Sequence, residues 1–238
     1  MISLDPLELA QWAARPDASY VLPELIRRLI LATTPAAFLV DIPSGSSVRL
    51  PGWDGLLVTN AGNPWVPEGT SAWELSCEGN STAKTTAKAS SDYTKRTANP
   101  EGVDPATTTF VFATPRTWST KQNWVNKRRG EEKWRDVRAL NANDLASWIE
   151  QAPAVAGWLA RLTGKLPTTG VVSLDEWWEN WSGATDPQLS PDLVLAGRIE
   201  EARQLGQWSE EGPSSVYVQG ETRDEAIAFV AASATRAR

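Results

Sequence analysis

Apolar residues recur at helical spacing through Leu22-Pro23-Glu24-Leu25-Ile26-Arg27-Arg28-Leu29-Ile30, with Pro23 suited to a first turn. Ala37-Phe38-Leu39-Val40 is a short apolar run that reads as a strand, closed by Pro43 and Ser44-Gly45-Ser46. The turn Gly52-Trp53-Asp54-Gly55 leads into a second strand at Leu56-Leu57-Val58. After a Gly/Pro/Asn-rich hairpin from Asn60 to Gly69, the stretch Ser71 to Cys77 alternates. Trp73, Leu75 and Cys77 fall on one face of that strand, and Glu74, Ser76 and Glu78 on the other. Ser81 or Thr82 caps a helix reaching about Thr97, on which Lys84, Lys88, Ser91 and Lys95 share one stripe beside the small face of Ala83, Ala87 and Ser90. Thr107 to Ala113 reads as a buried strand, about Thr120 to Lys133 as a basic helix, and Asp136 to Leu140 as a last strand. Asn143-Asp144 caps a helix through Trp148 and Ile149, and helical packing resumes at Trp158 and Leu159 after Pro153.

This order predicts an α/β fold, a sheet covered by helices, over residues 1–166. A linker pattern from Gly164 to Gly170 opens a second region, 167–238, expected to be a small C-terminal α/β extension. There, Ser215-Val216-Tyr217-Val218 followed by Glu225 to Val230 reads as strand then helix, like the start of a degenerate nucleotide-binding or connector module. The intervening Gln219-Gly220-Glu221-Thr222-Arg223 has one glycine and no Gly-Lys-Ser/Thr, so it is not a working phosphate loop.

Composition narrows the chemistry. The 238 residues contain no histidine, which removes Ser-His-Asp triads, Cys-His nucleophiles and imidazole metal sites. The single cysteine, Cys77, excludes an internal disulfide and fits a reducing, cytoplasmic setting. No secretory leader or membrane span is expected, since the longest apolar stretches are broken by Pro23, Glu24, Arg27, Arg28 and Pro35. The thirteen tryptophans are scattered along the chain and suit core anchors. Net charge is -6, but it is unevenly spread: residues 1–79 carry -5, 80–140 carry +6 and 141–238 carry -7. The basic middle is a candidate polyanion-binding face on an acidic body.

Carboxylates, lysines and a hard metal are what remain for catalysis. Asp54 opens one predicted strand, and Glu74 lies on the next, so hairpin pairing brings the two acids to one end of a sheet. With the Leu75 carbonyl they would form an open Mg²⁺ (or Mn²⁺) site completed by water. Each residue alone also suits a plain role: Asp54 a turn, Glu74 a solvent-facing strand position, Lys84 and Lys88 a solvated helix face.

Gly52-Trp53-Asp54-Gly55, Trp73-Glu74-Leu75-Ser76, the helix with Asp92-Tyr93-Thr94-Lys95-Arg96-Thr97, and Thr109 to Arg116 together resemble the PD-(D/E)XK nuclease superfamily. The likeness covers about residues 20–160; more narrowly, the chain is similar to restriction-endonuclease-like (Mrr-like) N-terminal effector domains of bacterial antiphage proteins, including those fused to STAND NTPases. It implies a restriction-endonuclease-like fold, a central mixed sheet flanked by helices, and metal-dependent DNA cleavage by Asp54 and Glu74. The family's lysine position is Ser76 here, and the resemblance points to Lys88 on the following helix as the substitute, with Lys84 and Lys95 as second choices. It also points to Glu24 as an added acidic ligand. Lys84, Lys95, Arg96, Arg116, Lys121, Arg128 and Arg129 would then contact DNA phosphates. Activation by homo-oligomerisation, or by a fused or associated sensor module, follows from the same resemblance. The alternative expectation is a catalytically inactive nuclease-like module that binds DNA or protein.

Overall fold

The computed structural model describes residues 5–34, 37–43, 52–164, 172–210 and 216–236. The chain divides into two compact units, Met1–Pro167 and Thr168–Arg238. Unit 1 is built around a five-stranded mixed sheet in the order β1 (Ala37–Asp41), β2 (Gly55–Thr59), β3 (Gly69–Leu75), β4 (Thr108–Ala113), β5 (Asp136–Leu140). The first three strands pair antiparallel, as a hairpin-linked meander requires; β3–β4 and β4–β5 are parallel. Parallel neighbours need crossovers, and these are α3 (Thr82–Ala98) and α4 (Lys121–Arg129). The turn expected at Ser44-Gly45-Ser46 and the linker at 165–170 lie outside the described residues.

Alternation along the strands decides which layer each side chain enters. Leu57, Trp73, Val111 and Ala113 form one core with helices α1 (Pro6–Trp12), α2 (Ala18–Thr33), α5 (Ala142–Glu150) and α6 (Pro153–Leu162). Leu75 and Cys77 pack against that core too, so this face of β3 is the one its alternation predicts. Ala72, Phe110, Phe112, Val137 and Ala139 point the other way, into a second core with α3 and α4. Glu74 shares the parity of Ala72 and is directed to the α3 side.

The α3 face differs from the sequence expectation. Thr85, Ala89, Asp92, Tyr93 and Arg96 are buried, while Lys84, Ser91 and Lys95 are exposed. The reason is tertiary: Trp118, Trp124 and Trp134 donate their indole N–H groups to Thr86 (2.8 Å), Ser90 (2.9 Å) and Thr97 (2.9 Å). A polar helix is thereby fixed by aromatic neighbours whose buried N–H groups need acceptors. Two boundaries also move. α4 ends at Arg129 with Gly130 as its C-cap and Glu132 in the left-handed region (φ 51°), ahead of the expected Lys133. α5 is capped by Asn141 in a capping box with Asp144, two residues earlier than expected.

Unit 2 corrects the expected α/β extension. Its described residues form α7 (Leu174–Ser182), α8 (Pro191–Val194), α9 (Ile199–Glu210) and α10 (Arg223–Arg236), and none is in a strand. Residues 216–220 have no regular secondary structure; without a partner a β-prone run has no ladder to join. Trp177, Trp178 and Trp181 pack with Leu195, Phe229 and Ala232 in the core of this unit. No helix among the described residues is long and apolar enough to cross a membrane.

Candidate active site

Antiparallel pairing of β2 with β3 sets Gly55 opposite Trp73, which brings the residue before β2 beside the residues ending β3. Asp54 Oδ2 accepts the Leu75 backbone N–H at 2.7 Å, and the Asp54 and Glu74 carboxyls lie close enough to act on each other's ionisation. Two acids twenty positions apart therefore meet at one end of the sheet. Trp53, the residue before Asp54, is anchored separately by its indole N–H to the Pro100 carbonyl at 3.0 Å.

Burial raises the Glu74 pKa from 4.5 to about 7, and the Asp54 charge adds to the shift against the opposing pull of Arg96. Asp54 is raised as well, chiefly by burial, against the Leu75 amide and the Glu74 side chain, which lower it. The chemical result is a pair that keeps a proton near neutrality, because two adjacent carboxylates away from water resist ionising together.

Helix α3 supplies the cations. Lys88, Asp92 and Arg96 stand at i, i+4 and i+8, one above another. Arg96 is buried (2% exposed): its Nε donates to Glu74, Nη2 to the Gly52 carbonyl, and Nη1 pairs with Glu101 at 2.7 Å. Its guanidinium also lies over the Trp53 ring, 4.6 Å from the centroid. One side chain thus ties the loop carrying Asp54 to the strand carrying Glu74. Lys88 Nζ is 3.1 Å from Asp92 Oδ1 and 3.9 Å from Glu78. Burial pulls the Lys88 pKa down, but Asp92, Glu78 and Glu74 outweigh it, so the ammonium stays charged.

The donor set fits a hard divalent cation in a limited form. Asp54 and Glu74 offer adjacent carboxylates, and the proton they retain marks the place where positive charge is wanted. Among the described residues no group of three or more acidic or thiol side chains has ligand spacing. The cation would therefore be held by two carboxylates with water completing the shell, as suits Mg²⁺. Leu75, expected as a carbonyl ligand, contributes its N–H to orient Asp54. Glu24 lies on α2, on the opposite side of the sheet, paired with Arg28 at 2.7 Å and Arg27 at 4.0 Å, away from these acids. Ser76 is buried; its hydroxyl accepts the Glu78 N–H (3.0 Å) and turns the chain towards α3.

Several residues expected to grip DNA are otherwise engaged. Arg96 is a correction: a buried guanidinium bonded to Glu74 and Gly52 does not reach a phosphate backbone. Arg116 bonds three carbonyls, of Cys77 (2.7 Å), Ala10 (3.1 Å) and Ala13 (2.8 Å), and so joins α1 to the end of β3. Lys121 pairs with Asp144, Arg128 with Glu131 (2.6 Å) across the Tyr93 ring, and Arg129 with Asp136 (2.6 Å). Lys84 and Lys95, with Lys127 and Lys133, are the exposed lysines of this segment that carry no ion pair among the described residues. Sequence reasoning gave Asp92 no role, although the Lys88–Asp92–Arg96 spacing of alternating charge was readable there. No family model, curated protein or solved structure matches this chain.

Proposed function

We propose that unit 1 is a metal-dependent deoxyribonuclease domain of the PD-(D/E)XK type, with Asp54 and Glu74 holding Mg²⁺ or Mn²⁺. The observation that carries this reading is the meeting of Asp54 and Glu74 at one end of the sheet, fixed by the β2–β3 register and the Asp54–Leu75 hydrogen bond, with burial pushing Glu74 up to about 7. Further support comes from the mixed sheet and from Lys88, a charged ammonium on the helix that follows β3. A bound divalent ion would supply an activated water and neutralise charge on the phosphoryl group. The Leu75 amide and the Arg96 guanidinium hold the two carboxylates in place. Lys88, kept protonated, acts as a cation facing the phosphate and not as a base. Lys84 and Lys95 extend positive charge outward along α3. The resemblance extends the proposal to an antiphage effector that self-association or a sensor module switches on.

The test is degradation of plasmid DNA with Mg²⁺ or Mn²⁺, comparing wild type with Asp54→Asn, Glu74→Gln and Lys88→Ala. Cleavage that needs metal and is lost in all three supports the reading; cleavage that survives Glu74→Gln refutes it. A second reading has its own observations: Ser76 stands where the family has lysine, and Arg96 already occupies one oxygen of Glu74. These favour an inactive module that retains binding, and the same assay would then give salt-sensitive DNA retention without cleavage.

A further inference from the structure

We infer that Asp92 is a positioning residue of this site, holding the Lys88 ammonium beside the Asp54–Glu74 pair. The inference rests on the nuclease reading above and adds to it a residue that touches neither metal nor substrate. Asp92 is a third carboxylate near this pair, and its charge acts on both Asp54 and Glu74. A buried acid there is unfavourable unless it serves a cation. Two roles are open to it: third ligand for a metal, or counter-ion for a lysine. Among the described residues no three acids have ligand spacing, while Asp92 Oδ1 is 3.1 Å from Lys88 Nζ. The geometry selects the counter-ion.

The helix alone does not explain the pair. A lysine one turn before an acid is the weaker order for an i, i+4 contact on an exposed helix. What favours it is burial: the Asp92 side chain is 11% exposed, so little water competes with Lys88 for its carboxylate. Among the described residues the one other ion-pair partner of Lys88 is Glu78, at 3.9 Å and 74% exposed. Without the Asp92 charge, a flexible four-carbon stem would follow Glu78 towards solvent and leave the acids.

The experiment measures kcat and KM for metal-dependent DNA cleavage in wild type, Asp92→Asn, Asp92→Glu, Lys88→Ala and the Asp92→Asn/Lys88→Ala pair. Asp92→Asn is near-isosteric, and circular dichroism with a melting curve confirms that each variant is folded. The expected result is a fall in kcat of about 10- to 100-fold for Asp92→Asn with KM little changed, in line with losses at residues that orient a catalytic group. Asp92→Glu recovers part of it, and Asp92→Asn adds no loss once Lys88 is alanine. Full activity in folded Asp92→Asn, or an additive loss in the double variant, overturns the positioning role and leaves the nuclease reading standing. A wild type that does not cleave overturns the nuclease reading, and this role falls with it.

Discussion

Glu74 has opposed neighbours, the Asp54 carboxyl that disfavours its charge and the Arg96 guanidinium that favours it, and burial decides the balance. Its pKa is raised in the folded chain, from 4.5 to about 7, so the sign is fixed. The stabilisation is complete below pH 4.5 and is lost as pH rises through about 7, because the unfolded chain releases that proton first. Urea unfolding of wild type should therefore show stability falling between pH 5 and pH 8 by on the order of 2 kcal/mol. Glu74→Gln should flatten that slope. If the acids take a divalent ion, Mg²⁺ should raise the melting temperature more at pH 8, where it need not displace the proton, than at pH 5. Equal shifts at both pH values would count against a metal at this pair.

Helix α3 shows how an element of low hydrophobicity is fixed by its surroundings. Its inward face carries Ala89 and Tyr93 beside charged residues, and its flanks receive three indole N–H groups. Trp124 is the best probe, since it packs on Tyr93, Phe112 and Trp118 and donates to Ser90. Trp124→Phe should cost about 1 kcal/mol, mainly the hydrogen bond, whereas Trp124→Ala should cost about 3–5 kcal/mol through the cavity. Denaturant midpoints read both, and under the proposed nuclease function the larger change should also reduce cleavage by loosening the helix that carries Lys88. The C-terminal region makes the converse point. Val216-Tyr217-Val218 has strand character in sequence, yet no neighbouring strand exists among the described residues to satisfy its backbone.

At the scale of the whole molecule, the basic segment 80–140 divides into charges used inside and charges left outside. Arg96, Arg116, Lys121, Arg128 and Arg129 serve the fold through ion pairs or carbonyl contacts, whereas Lys84 and Lys95 remain on the surface. If the chain binds DNA as proposed, charge reversal at Lys84 and Lys95 should weaken retention and make its salt dependence shallower while leaving the melting temperature unchanged. Arg129→Glu should instead lower the melting temperature, because it sets like charges against Asp136. Filter retention at two salt concentrations, alongside melting curves, separates the two sets. Equal DNA loss at both, with no change in stability, would show that the ion pairs do not restrain Arg129.

Much of the frame was legible along the chain. Periodicity marked the five strands and α3 because a strand's period of two and a helix's of 3.6 are local properties of the backbone. The missing histidine and the uneven charge directed attention to Asp54, Glu74 and a lysine, and hairpin order alone predicted that the two acids meet. Partnership was not legible. Whether Arg96 faces a phosphate or Glu74, whether Asp92 matters, and whether residues 216–218 become a strand depend on neighbours brought from far along the chain. Charge and hydrogen-bonding capacity belong to a residue's chemistry, and the sequence determines them; burial and contact arise only when the elements pack. At this site it is burial that turns two ordinary acids into a pair holding a proton near neutrality.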